Sequence, residues 1–279
     1  MRAIRIWAAA CAIMLGAQGA AKAQQDTVAT GTQGVFVPRS GQEGKDVVWV
    51  PTEQTLVDRM LDMAGANEAD YVIDLGSGDG RTVITAAKRG IKALGVEYDA
   101  RMVALSRHNA AVAGVSDKAQ FIQGDIFETD FKQATVLTLF LLPDLNLRLV
   151  PSILAMKPGT RVVSNTFTIG DWTPEESINV GEGCSSFCRA YRWVVPAKVG
   201  GTWQVPGGEL KLTQRFQMVT GTLSANGEAV PISEGRLNGA EITFLAGQAR
   251  YFGTVSGTRI EVKSPNGGTQ TWTGVLDGS

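Results

Sequence analysis

Tyr71-Val72-Ile73-Asp74-Leu75-Gly76-Ser77-Gly78-Asp79-Gly80-Arg81 decides the fold. Apolar β-formers run straight into Gly76, Gly78 and Gly80, which predicts a strand ending in a tight turn that opens a helix over 82–89. Glycines let the backbone turn that sharply while a ligand lies against the main chain. The spacing is G-x-G-x-G, whereas dinucleotide sites favour G-x-G-x-x-G and hold a pyrophosphate at the helix N-terminus. Asp74 and Asp79 would repel a pyrophosphate; two acids beside a glycine turn suit a cationic ligand instead.

Two further strand ends carry acids. Ala93-Leu94-Gly95-Val96-Glu97 reads as a second strand whose terminal carboxylate lies about twenty residues past the glycine loop, the position that reaches ribose hydroxyls in nucleotide-binding βαβ units. A helix over 101–113 follows, and a strand over 119–123 leads into Gly124-Asp125-Ile126, where Asp125 would accept from an adenine amino group and Ile126 would pack on the ring. One glycine loop is a weak signal; three successive strand ends bearing D-L-G-S-G-D-G, E and G-D-I are specific. A cationic ligand such as S-adenosylmethionine, with its ammonium and sulfonium, would suit these acids.

With these motifs the chain, over about 50–171, resembles the seven-strand, class I S-adenosylmethionine-dependent methyltransferases. It looks most like the protein-lysine methyltransferases that modify the ATP synthase c-ring protein and the adenine nucleotide translocase, with their bacterial relatives. The likeness rests on Trp49-Val50-Pro51-Thr52, Asp74–Arg81, Leu139-Phe140-Leu141-Leu142-Pro143-Asp144-Leu145-Asn146, Lys157-Pro158-Gly159-Thr160-Arg161-Val162-Val163-Ser164 and Gly170-Asp171-Trp172. It implies a doubly wound α/β sheet, cofactor contacts from Thr52, Asp74, Gly76, Ser77, Gly78, Glu97, Asp125 and Ile126, and a protein lysine as acceptor.

Arg2 and Arg5 precede an apolar stretch from Ile6 to Ala17, and Ala21-Lys22-Ala23 supplies a small-x-small cleavage pattern. The run is short for a bilayer span. Residues 1–23 therefore read as a signal peptide, with a periplasmic mature protein and no stable membrane insertion; a start at Met14 or later would instead leave the protein cytoplasmic. Without Arg2, Arg5 and Lys22 the mature chain is about four charges negative, which offers no electrostatic footprint for nucleic acid.

Composition divides the rest. Residues 24–46, rich in Gly, Gln, Thr and Ser, read as a flexible segment; 47–198 alternates strand and helix patterns as the methyltransferase domain; 199–279 switches to short alternating strands broken by Gly-Gly, Asn-Gly and Pro-Asn-Gly-Gly. In Glu209–Phe216 apolar residues recur at period two. Gly235–Phe244 and Gly253–Val262 repeat one layout, which predicts an antiparallel meander of six or seven strands, a sandwich or small open barrel. Trp203, Phe216, Phe244, Tyr251 and Trp272 read as packing residues.

His108, the only histidine, reads as solvated on its helix, so a His-based triad or metal centre is not expected. Cys184 and Cys188 read as a disulfide rather than a zinc half-site, for which two more ligands are missing. Asp144 and Asn146 either cap the helix after the fourth strand or orient the acceptor as catalytic residues, with Asp171-Trp172 as a lip. The chemistry implied is in-line displacement at the sulfonium methyl, which asks the protein for alignment and water exclusion, and of a lysine that it arrive neutral. Two other readings stand beside lysine methylation: a small-molecule methyltransferase, which would be expected to carry a helical lid not apparent here, and an exported binding protein that keeps the cofactor fold without catalysis.

Overall fold

A computed structural model describes residues 36–263 and 271–278. The expected signal peptide, residues 24–35 of the expected flexible segment, and the Pro-Asn-Gly-Gly turn at 265–268 lie outside the described residues.

Seven strands form the first sheet: β1 (Tyr71–Leu75), β2 (Lys92–Glu97), β3 (Ala119–Gln123), β4 (Val136–Leu139), β5 (Arg161–Asn165), β6 (Glu176–Asn179) and β7 (Arg189–Val194), in the order β3-β2-β1-β4-β5-β7-β6. β1 to β5 run parallel, β7 pairs antiparallel with β5, and β6 antiparallel with β7. Helices α1 (Gln54–Met63), α2 (Arg81–Lys88), α3 (Ala100–Val112) and α4 (Pro143–Ile153) flank it, α2 and α3 each starting one residue earlier than the sequence pattern indicates. Parallel strands covered on both faces need apolar residues at successive positions. β1 follows that rule: Val72 packs with Leu56, Leu61 and Val83 on one face, while Ile73 and Leu75 pack with Leu137, Leu149 and Trp193 on the other. Strand order reverses between β1 and β4, and open α/β sheets bind ligands beyond the carboxyl ends of strands at such a point.

The C-terminal module is a closed barrel of eight strands, not six or seven in a sandwich or open barrel. β8 (Gly201–Val205), β9 (Gly208–Arg215), β10 (Met218–Ala225), β11 (Glu228–Asn238), β12 (Glu241–Ala246), β13 (Ala249–Ser256), β14 (Arg259–Lys263) and β15 (Thr271–Leu276) pair in sequence order, and β15 closes on β8. The repeated stretches are successive hairpins, β11–β12 and β13–β14, turning at Gly239 and Gly257. A small eight-stranded barrel is filled by its own side chains. Here Trp203, Leu210, Leu237, Ile242, Phe244, Ile260 and Val262 fill it, all fully buried. At Gly221 a Cβ would stand 1.8 Å from the Lys211 carbonyl oxygen, so only glycine lets β9 and β10 approach there.

Barrel and sheet meet at residues 171–175. Phe216 stacks on Trp172 with centroids 5.5 Å apart, Gln217 Nε2 donates to the Thr173 carbonyl at 2.7 Å, and Arg236 pairs with Glu175. Trp172, expected at a lip over the acceptor, is 1% exposed, and the Trp193 indole donates to its carbonyl.

Candidate active site

The glycine loop is built as its sequence requires. Gly76, Gly78 and Gly80 have φ of 77°, 55° and 83°, the left-handed region that side chains resist. The Gly76 and Ser77 amides both donate to the Val96 carbonyl, which bends the chain away from β1. A Cβ on Gly80 would lie 2.8 Å from the Phe121 ring, and one on Gly78 2.4 Å from Trp49 Nε1.

Thr52, Asp74, Gly76, Ser77, Gly78, Glu97, Asp125 and Ile126 all line one cavity at the carboxyl ends of β1 to β4. Asp74, 8% exposed, accepts from Thr138 Oγ1 at 2.6 Å and also hydrogen-bonds Thr82. Burial pushes its pKa up to about 7; the two hydroxyls oppose that rise and the negative charges of Glu97 and Asp79 add to it. Glu97 Oε2 accepts from the Gly78 amide and Oε1 from the Asp99 amide, both at 2.9 Å, which fixes the carboxylate beside the glycine loop.

Two acids are engaged in ways the sequence did not reveal. Asp79 is clasped by the Arg81 guanidinium at 2.6 Å, and Arg81 also donates to the Thr52 carbonyl, so Asp79 is already paired with a cation of the chain itself. Asp125 Oδ2 accepts from Lys45 Nζ at 2.5 Å and Oδ1 from the Phe127 amide, which hold its carboxyl below the usual range. Lys45 belongs to the segment read as flexible. Residues 36–46 are instead anchored beside the Asp125 end of the cavity: Arg101 covers the Phe36 ring, Gln42 reaches Met102, the Gly41 amide donates to the Trp49 carbonyl, and Gln42 to Asp46 line the cavity.

Asp144 and Asn146 do not border that cavity. Pro143 takes the first helical position of α4 behind Leu142, which makes no side-chain cap; Asp144 is exposed in the first turn, and Asn146 is fully buried with Nδ2 donating to the Thr168 carbonyl at 3.3 Å. Neither residue caps the helix. The cavity wall here is Phe140, Leu141, Leu142 and Leu145, joined by Phe167 from the end of β5 and Phe187 from the β6–β7 loop. Cys184 and Cys188 in that loop are joined as a disulfide, and His108 lies exposed on α3. The three phenylalanines went unread because sheet order, not sequence spacing, brings them together.

The ANTKMT methyltransferase domain matches residues 74–176, which runs from the end of β1 through the glycine loop and β2 to β5 and stops short of the barrel. A protein-lysine N-methyltransferase of Saccharolobus islandicus is 44% identical over 140 residues, covering 49% of this chain and 87% of that protein. The chain belongs to the ANTKMT methyltransferase family. The mouse adenine nucleotide translocase lysine N-methyltransferase is 35% identical over 114 residues, which cover 40% of this chain and 49% of that protein. A solved Salinibacter ruber structure, described as an RNA methyltransferase with bound S-adenosylhomocysteine, is 45% identical, covers 54% of this chain and 96% of that one, and superposes with a TM-score of 0.50. This ANTKMT-family chain is therefore an S-adenosylmethionine-dependent methyltransferase. The site fits that cofactor on its own terms, because burial and the charges of Glu97 and Asp79 disfavour the ionised form of Asp74, and a bound cation would offset that cost.

Proposed function

We propose that this methyltransferase modifies the side-chain amine of a protein lysine. One observation carries the reading: the cavity is acidic at the ends of β1 to β3 and apolar at the ends of β4 and β5. Asp74, Glu97 and Asp125 mark the first end; Phe140, Leu142, Leu145, Phe167 and Phe187 mark the second. Among the described residues the only basic side chains on the cavity wall, Lys45 and Arg81, are already paired with Asp125 and Asp79, so little positive charge faces a phosphate backbone. The names of the Saccharolobus islandicus and mouse relatives support protein lysine, against the description of the Salinibacter ruber structure as an RNA methyltransferase.

S-adenosylmethionine supplies an electrophilic methyl on sulfur. We assign Asp74 to its cationic amino acid portion, Glu97 to the ribose hydroxyls, Asp125 with Ile126 to adenine, and Thr52, Gly76, Ser77 and Gly78 to the walls. The apolar end strips water from the incoming amine, which lowers its pKa toward the neutral form that attacks. Asp144 and Asn146 have no part in this assignment. We also propose that the chain is exported, on the strength of its N-terminal pattern and the Cys184–Cys188 disulfide; the N-terminus of the native protein, read by mass spectrometry, tests this, and an intact Met1 in a cytosolic fraction would refute it.

The acceptor test incubates the full chain with methyl-labelled cofactor and whole-cell protein extract and maps the label by mass spectrometry. Label on lysine is expected. Label confined to small molecules or RNA, or cofactor binding without any transfer, would overturn the assignment.

A further inference from the structure

Three aromatic rings stand together at the apolar end of the cavity. Phe140 follows β4, Phe167 follows β5, and Phe187 lies in the loop between β6 and β7. Their centroids are 5.4 Å apart for Phe140 and Phe187, 6.2 Å for Phe140 and Phe167, and 6.4 Å for Phe167 and Phe187. Phe187 is 41% exposed, an unusual place for a phenylalanine, and its φ of 55° is a backbone state a bulky side chain does not choose unaided. What holds it there is the loop. Cys184 and Cys188 close a ring around it, the Val180 amide donates to the Cys188 carbonyl, Thr55 Oγ1 donates to the Gly183 carbonyl, and Ser185 Oγ donates to Glu53. The last two bonds tie the ring to the start of α1, next to Thr52 on the cavity wall.

We propose that Phe140, Phe167 and Phe187 form the collar through which the aliphatic stem of the acceptor lysine enters, and that the Cys184–Cys188 ring keeps Phe187 in place, so that acceptor capture, but not cofactor binding, depends on the disulfide. The proposal rests on the lysine reading. It follows from continuity with the cofactor cavity and from chemistry: a four-carbon stem buries well against rings, an amine held among rings loses water, and ring faces attract the methylated ammonium that transfer leaves behind. Lysine presented by a folded or extended protein needs only a narrow mouth, which three rings on three elements provide.

The test uses the full oxidised chain, Phe187→Ala, Phe187→Leu, the Cys184→Ser/Cys188→Ser double variant, and the parent reduced with dithiothreitol. Reduction passes two electrons and two protons to the cystine, leaving two thiols and the cyclic oxidised reagent. Calorimetry with S-adenosylhomocysteine should give affinities within about twofold of the parent throughout, because the variants leave the acidic end intact. n-Butylamine, the lysine side chain without its backbone, is then titrated into protein saturated with S-adenosylhomocysteine at about pH 9, where more of the amine is neutral, and followed by saturation-transfer NMR. Binding in the parent, weakened roughly fivefold or more in Phe187→Ala, the double variant and the reduced parent and less in Phe187→Leu, is the expected result. No binding in the parent, or equal binding in all five samples, overturns the collar. Collar-dependent butylamine binding without label on any protein lysine would leave the collar standing and overturn the protein-lysine reading alone.

Discussion

The sheet and the barrel are built from the same polymer on opposite plans. In the sheet, β1 to β5 run parallel, so each must be left by a crossover, and their carboxyl ends open into a common crevice with buried Asp74 and a left-handed glycine loop. In the barrel, β8 to β14 are joined in succession by short hairpins, both edges are paired, and Trp203 and Phe244 fill the centre. Closing a sheet removes its edges and, at this size, its interior space. Chemistry is therefore concentrated where the topology leaves an opening, while the barrel's interior is taken up by its own side chains.

The sharpest way to break that contrast is to damage the barrel core. Trp203 and Phe244 are both 0% exposed, and replacing either with alanine should cost about 3–5 kcal/mol of unfolding free energy, measured in denaturant. The affinity for S-adenosylhomocysteine, measured below the unfolding transition, should stay as in the parent. A large loss of affinity with folding intact would show that the barrel interior shapes the cofactor site.

The sheet gives the opposite result, where a stability gain accompanies a loss of binding. Asp74 has a native pKa of about 7, above the unfolded carboxylate value of about 4, so between those limits the native state holds a proton that the unfolded chain has lost. Its favourable contribution is complete below about pH 4 and disappears as pH rises through about 7. Asp74→Asn should therefore gain apo stability relative to the parent across that window, by up to about 4 kcal/mol, while cofactor affinity falls by about 2–3 kcal/mol at pH 8. Parent affinity should also tighten as pH rises through about 7, and the variant should lack that dependence. Melting curves and calorimetry at several pH values check both; an apo stability that follows one pH curve in the two proteins would refute the account. Glu97→Ala comes next, with binding weakened by about 2–3 kcal/mol and the rise of affinity with pH moved to lower pH, because the Glu97 charge no longer raises the Asp74 pKa.

How much of this was legible follows the same division. β1 to β3 and the residues at their ends could be read from a single stretch, since glycines at φ values of 55–83° and terminal acids are local requirements written locally. The barrel's hairpins were legible from period two and from the Asn238-Gly239 and Gly257 turns, but closure was not, because the pairing of β15 with β8 joins segments about seventy residues apart by register alone. Nor could the acceptor end be read. Phe140, Phe167 and Phe187 meet only because β4, β5 and β7 are neighbours, and the pairing of Lys45 with Asp125 spans 80 residues of chain. Polar Gly-rich composition in residues 24–46 suggested flexibility, yet a few anchors, Phe36, Gln42 and Lys45, are enough to pin the described part of it.

The smallest effects belong to the seam between the two regions, and they distinguish packing from charge there. Phe216 lies 5.5 Å from Trp172 and nearly coplanar with it, at 3°, so Phe216→Ala removes a stacked contact against a buried indole and should cost about 1–3 kcal/mol. Arg215 and Asp171 pair one residue away at 2.7 Å, but their side chains are 73% and 79% exposed, so water screens the attraction and ordering two long side chains offsets it. Arg215→Ala should therefore change stability by less than about 0.5 kcal/mol, and the double variant with Asp171→Ala should show a coupling of the same small size. Denaturant unfolding of the four proteins in this cycle settles it. A coupling well above about 1 kcal/mol that fades in molar salt would mean the barrel is held to the sheet by charge and not by the stacked rings.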